Sequence, residues 1–158
     1  ELSMDTATRP TRIMRAAVIS KRYIEPEDIS TVLAIRDDFP RPPDPAKGQM
    51  LVRVRACALA PGDVRVLRAD AGNRQRPRRM PYVPGGDLCG EVVVVDPADP
   101  STYAVGDRII AMFVPDKPQD GLAEFALVRT SHCARAPPNL SDAEAAALPS
   151  SALAAMSI

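Results

Sequence analysis

Val83-Pro84-Gly85-Gly86-Asp87-Leu88-Cys89-Gly90-Glu91-Val92-Val93-Val94-Val95 is the stretch on which the fold turns. Pro84 presets its own φ, and two glycines tolerate backbone angles closed to other residues, so the entry is sharp. Four valines in succession then follow Glu91. β-Branched side chains suit a strand, and an unbroken apolar run suits one buried on both faces. A tight polar turn therefore feeds a core strand. A turn held by a rigid strand is a common place to build a site.

Upstream, Met14 to Ser20 predicts a first strand, and Thr31 to Phe39 a second that pairs back as a hairpin beyond a polar turn at Glu25 to Asp28. Pro40 to Gly48 holds four prolines and reads as a loop. Gln49 to Leu59 alternates: Leu51, Arg53 and Arg55 point one way, Val52, Val54 and Ala56 the other. Charged groups at alternate positions mark the wet face. Ala60-Pro61-Gly62-Asp63 breaks this strand, and Val64 to Arg68 predicts one helical turn with Asp63 near its start as a cap. Ala69 to Arg79 is a loop dense in arginine, either a solvated run or an anion site.

Downstream, Asp96 to Pro100 is a turn, Ile109 to Val114 a strand and Pro115 to Gly121 a loop. Leu122 to Arg129 predicts a strand with Ala123, Phe125 and Leu127 on one face, and Cys133 to Ala136 a further short one. Ser141 with Glu144 three residues on is a capping box ahead of strong helix formers. Pro149 interrupts, and Ser150 to Ile158 resumes a helix. The count is seven or eight strands and then helix: mainly β, barrel-like or sandwich-like. Three turns share a Gly-Asp pair, at Gly62-Asp63, Gly86-Asp87 and Gly106-Asp107. In each, Gly supplies an unusual dihedral and Asp accepts from nearby backbone N–H groups.

Composition narrows the classes. The 158 residues are 46% hydrophobic, enough for one domain with a real core. Twenty basic and twenty acidic residues leave no net charge to draw the chain to nucleic acid or an anionic membrane. Cys57, Cys89 and Cys133 are odd in number and widely spaced, which argues against a disulfide framework and a structural zinc site and predicts three small buried apolar residues. His132 is the one histidine, expected in an exposed loop. No stretch is long enough to span a membrane, and the start lacks the apolar segment of a secretory signal, so a cytoplasmic setting is expected. Thr and Arg near the start leave a mitochondrial address open, against which Glu1 and Asp5 count.

Five segments in order carry a resemblance: Val52 to Asp63, Pro81 to Val93, Val105 to Ile109, Gly121 to Val128 and Leu140 to Pro149. Together they resemble the N-terminal, GroES-like domain of the medium-chain dehydrogenase/reductases. That resemblance implies a GroES-like distorted β-barrel over 14–140. A disordered or tag-like segment over 1–13 precedes it. A short helical segment over 141–158 leads toward a dinucleotide-binding domain that is absent here.

Zinc members place a ligand Cys at the position matching Ala60 and a His-Glu pair at those matching Gly86 and Asp87. Alanine and glycine offer no ligand atoms, so no zinc is expected. The zinc-free, quinone oxidoreductase-like branch fits better. Its Asn-Pro-x-Asp matches at Pro61 and Asp63, with Ala60 in place of the Asn that lies beside the nicotinamide in relatives. A Tyr found two residues on corresponds to Arg65, which supplies positive charge if it points inward. The resemblance thus implies Ala60, Pro61, Asp63 and Arg65 on the cofactor side of a cleft, and Gly86 and Asp87 lining its substrate side. Asp87 is read as a backbone-bonding turn residue and not a catalytic acid.

The reaction implied is NADPH-dependent reduction of a quinone or an α,β-unsaturated carbonyl. No G-x-G-x-x-G occurs in the chain, and a dinucleotide domain needs on the order of 150 further residues. The chain alone is therefore expected to be inactive and to self-associate through an apolar tail. A stand-alone GroES-like interaction module and a degenerate small-molecule binder are the competing readings.

Overall fold

The computed structural model describes residues 13–21, 28–68, 80–98, 103–112 and 121–156. Among these residues, seven strands lie in two antiparallel sheets. Strand β1 (Ile13–Ile19) pairs with β2 (Leu33–Pro40) as the expected hairpin ribbon. The larger sheet has the order β6-β3-β4-β5-β7, with β3 at Gln49–Ala58, β4 at Asp87–Val95, β5 at Arg108–Ala111, β6 at Phe125–Arg129 and β7 at Cys133–Arg135. Helix α1 is Pro61–Arg68, α2 Asp142–Ala146 and α3 Leu148–Met156. Continuous pairing does not close the described sheets into a cylinder. β1 instead reaches the rest of the molecule through isolated bridges at Ala16–Ala123 and Ile19–Tyr82. The Ala17 N–H donates to Leu122 O at 2.8 Å, and the Ile19 N–H to Tyr82 O at 2.8 Å.

Strand β4 is central because it pairs on both edges, with β3 and with β5. It begins at Asp87, so Asp87 is the first residue of the strand and not part of the turn. Burial also differs from the reading of the valine run. Asp87 to Gly90 are all buried, while of the four valines only Val92 is buried and the other three are half-covered. The glycine-rich end of the strand is thus the enclosed one. Gly90 is required there: a Cβ would collide with Arg53 O of the neighbouring strand.

Arg53 and Arg55 are exposed, as the alternation predicts, but Leu51 is only 1% exposed. The register against β4 shifts between Leu51 and Val52 and again between Val54 and Ala56. Such irregularities turn side chains off a strict two-residue period. Met50, Leu51 and Val52 are therefore buried in succession. The main core gathers Met50, Val52, Leu88, Val92, Ile109 and Val128. A second cluster of Met14, Val18, Phe39 and Val83 seals the ribbon to the start of the organising stretch.

The capping box at Ser141 forms: its Oγ accepts from the Glu144 N–H at 3.3 Å, and Glu144 Oε2 accepts from the Ser141 N–H at 2.9 Å. The helix at 142–146 packs Ala145 and Ala146 against Cys89 of β4. Pro149 does not separate a later helix; it lies in the first turn of α3, where a missing N–H costs nothing. The arginine loop from Ala69 to Arg79 lies outside the described residues.

Candidate functional site

The loop after β3 and the turn before β4 meet. Helix α1 starts at Pro61, three residues earlier than the predicted turn, with proline in the first helical position it favours. Asp63 is thus inside the first turn and is not the N-cap. Ala60 precedes the helix and has no side-chain oxygen to offer. Asp63 reaches back instead, its Oδ2 accepting from the Ala60 N–H at 2.8 Å. This is the returning half of a capping box. Its other oxygen accepts from the Gly85 N–H at 3.1 Å, across 22 residues. One carboxylate therefore closes the loop and ties it to the glycine turn.

Gly85 has φ +102°, whereas Gly62 and Gly86 do not reach positive φ, so two of the three Gly-Asp pairs depart from the expected dihedral. Only Gly106-Asp107 conforms, with φ +92° and Asp107 Oδ2 accepting from the Ala104 N–H at 2.8 Å. A Cβ on Gly85 would run into Cys57 Sγ, and one on Gly121 would lie 2.9 Å from the same sulfur. Gly85 O accepts from the Gly121 N–H at 2.7 Å. The half-buried Cys57 thus fits between two glycines. Beside it an open groove of about 370 Å³ runs between Ala17, Val54, Leu122 and Glu124.

Asp87 is 3% exposed and has a different partner from the one expected. It bonds no residue of the glycine turn before it. Its Oδ2 accepts from the Ser150 N–H at 3.0 Å and its Oδ1 from the Ser150 hydroxyl at 2.8 Å, 63 residues along the chain. Hydrogen bonds and chain continuity thus link Ala60, Asp63, Gly85, Gly86, Asp87 and Ser150 into one connected set, none of which lines the groove beside Cys57. Pro61, next to Ala60, is exposed. Arg65 lies on α1, but its side chain is outside the described residues, and so is the role expected of it.

A second tie joins β5 to α2. Arg108 donates from Nε to Asp142 Oδ1 at 2.7 Å and from its two terminal nitrogens to Pro137 O at 3.0 Å and Leu140 O at 2.9 Å. The guanidinium holds the Asp142 carboxyl below the usual carboxylate range. Burial pushes the Cys89 thiol up, and the Cys133 thiol up to about 12. Both remain thiols near neutrality and are poor nucleophiles or metal ligands. Cys57 and Cys133 are only partly covered, so the expectation of three buried cysteines holds for Cys89 alone. His132 is half-buried in a short 3₁₀ turn, not exposed, with Nδ1 3.0 Å from Ser131 Oγ. Among the described residues, no group of three or more His, Cys, Asp or Glu could hold a metal ion.

Residues 46–138, more than half of the chain, match the alcohol dehydrogenase GroES-like domain. The chain belongs to that family. Within it, this GroES-like domain is akin to the quinone oxidoreductase-like medium-chain dehydrogenase/reductases. It is 34% identical over 113 residues to a chloroplastic quinone-oxidoreductase homolog of Spinacia oleracea, a match covering 72% of this chain and 33% of the relative. A solved putative zinc-dependent alcohol dehydrogenase of Rhizobium etli superposes with a TM-score of 0.72 at 32% identity, over 87% of this chain and 37% of that one. A mycobacterial protein solved in complex with NADPH superposes with a TM-score of 0.63 at 25% identity, over 82% and 35%. The GroES-like domain spans about a third of the length of the curated relatives it matches.

Ser150 and Arg108 are the residues of this domain that sequence reasoning passed over. A weak signal existed for Ser150. Ala147 and Pro149 leave α3 without a cap of its own, so a hydroxyl in an apolar tail has a reason to be there.

Proposed function

We propose that this GroES-like domain is the substrate side of an NADPH-dependent, zinc-free reductase of quinones or activated alkenes. The observation that carries the reading is the makeup of the connected set. Ala60 and Gly86 bring no ligand atoms to it, and both oxygens of Asp87 are engaged by Ser150. A metal needs three or four donors in one place, and this donor set does not fit one. The mycobacterial neighbour solved with NADPH and the quinone oxidoreductase relatives support the cofactor and the substrate class.

NADPH, when bound, supplies the hydride. Ala60, Pro61 and Asp63 form the turn that would face the nicotinamide, with Arg65 expected next to it. The rest of the cofactor needs a glycine-rich phosphate turn, which the chain lacks. The domain is inactive alone on this reading, and is not expected to bind NADPH with micromolar affinity. Reducing a quinone to its hydroquinone takes one hydride and one proton beyond the quinone's own atoms. Ala60 and Gly86 have no proton to give, and the Asp63 and Asp87 carboxylates act as acceptors. The proton therefore comes from water or from a donor elsewhere. What the set contributes is shape: small side chains leave room for a flat ring, and Asp63 keeps the loop and the glycine turn together.

The test is steady-state NADPH oxidation by the full-length gene product with 1,4-benzoquinone, before and after chelation. An undiminished rate after chelation is expected. Loss on chelation with recovery on added zinc overturns the zinc-free reading. Alcohol oxidation without quinone reduction overturns the reductase reading, and no turnover of either kind favours a non-catalytic interaction module. The proposal extends to a cytoplasmic setting and to self-association through exposed Leu59, Val64, Leu153 and Met156. A clean monomer of this chain at high concentration in analytical ultracentrifugation would refute the self-association.

A further inference from the structure

Helix α3 is anchored at one end. Pro149 is buried, Leu148 and Ser150 are half-covered, and residues 151–156 are exposed. Its first turn is short of local partners. Ala147, which ends α2 and precedes α3, has no side-chain oxygen, and Pro149 has no N–H. The Ser150 N–H is left to an acceptor outside the helix. Asp87, the first residue of β4, provides it at 3.0 Å, and the Ser150 hydroxyl takes the other carboxylate oxygen at 2.8 Å. A negative charge at a helix N-terminus also meets the favourable end of the helix dipole. The carboxylate is 3% exposed, so water competes poorly for it.

Asp87 directly follows Gly86, and the glycine turn is tied through Gly85 to Asp63. A displacement of α3 therefore pulls, through one pair of side chains, on the glycine turn that the proposed function puts at the cleft. We propose that Asp87 and Ser150 are a positioning pair, a helix cap supplied from a distant strand that couples the placement of α3 to the glycine turn. Where the resemblance puts a metal-site residue in zinc relatives, this chain has a hydrogen-bonded latch. The latch rests on the hydrogen bonds, but its consequence for turnover rests on the proposed reductase function.

Two arms separate the two. In this chain, hydrogen exchange is measured on S150A, S150T and D87N. With S150A, the amides of 150–156 and of 85–88 are expected to exchange roughly three- to tenfold faster while those of 50–54 are unchanged, and S150T is expected to restore the original rates. The D87N/S150A double variant should add little to the stronger single one, because both act on one interaction. Unchanged exchange at 150–156 in S150A, or an equal rise in the core strand, overturns the latch. In the full-length gene product, S150A should raise the quinone KM or lower kcat severalfold without abolishing activity, with S150T again close to the original. If that protein reduces no quinone, the reductase reading fails while the exchange arm still decides the latch. If it does and S150A leaves both constants unchanged, the coupling fails.

Discussion

Gly62-Asp63 and Gly86-Asp87 are the same dipeptide at two places in one hydrogen-bonded set. Asp63 closes the loop back to Ala60 and reaches 22 residues to Gly85, while Asp87 bonds nothing in the glycine turn before it and reaches 63 residues to Ser150. Burial separates them: Asp87 is enclosed and Asp63 only half-covered. A buried carboxylate cannot rely on water, so its partners must be built in. A half-covered one at a helix start can be served by the N–H groups at hand. Asp63 thus divides its two oxygens between a local N–H and a distant one, while Asp87 gives both to one distant serine. Between the two aspartates stands Gly85, which donates to Asp63 and lies two residues before Asp87.

The largest expected effect is therefore at Gly85. An alanine there meets both an unfavourable φ and the Cys57 sulfur. The two penalties together should cost on the order of 3 kcal/mol in urea unfolding. Gly106 has a similar φ of +92° but open space around it. Gly106→Ala should thus show the backbone part alone, about 1 kcal/mol. Adding Cys57→Ala to Gly85→Ala should recover part of the loss and leave the backbone part. Equal costs at Gly85 and Gly106 would mean that the sulfur contact does not matter.

Next come the aspartates. Asp87→Ala removes a buried acceptor from the half-covered Ser150 N–H and hydroxyl and should cost about 2 kcal/mol. Asp63→Ala removes a half-covered acceptor from the Ala60 and Gly85 N–H groups and should cost about 1 kcal/mol. Chemical denaturation of the two variants compares them directly, and a reversed order would break the argument from burial.

How far these differences could be read from sequence depends on how local their causes are. The hairpin and the Ser141–Glu144 box rest on neighbouring residues, and the sequence carries them. The start of α1 was misplaced because Asp63 looked like a cap, when Pro61 fills the first helical position and Asp63 reaches backward. Leu51 was grouped with the exposed arginines because alternation assumes an unbroken register, and a register shift next to it is not written in any residue type. Asp87–Ser150 was out of reach for a plainer reason. A hydrogen bond between residues 63 apart needs the fold before it can be stated. That Ala60 and Gly86 carry no ligand atoms can be read directly, because a missing side chain is already missing in the sequence.

The smallest effect concerns pH, and it sets a third region against Asp63 and Asp87. Asp142 sits below the ordinary carboxylate range because Arg108 donates to it, and Glu144 does so because the Ser141 hydroxyl and N–H bond it. A carboxyl whose folded value is depressed contributes stability that is present above its unfolded value and lost as pH falls through the folded one. Lowering the pH from about 5 toward 3 should therefore loosen α2 first, as protons reach both groups. Both side chains are largely open to solvent, so screening keeps the contribution small and salt should reduce it further. Circular dichroism melts across that range check the direction, with Arg108→Leu as the comparison. The variant loses the depression at Asp142, so its melting point should fall less with acid than that of the parent. A variant that tracks the parent throughout would place the acid sensitivity elsewhere, for instance at Asp107, which Arg135 holds low in the same way.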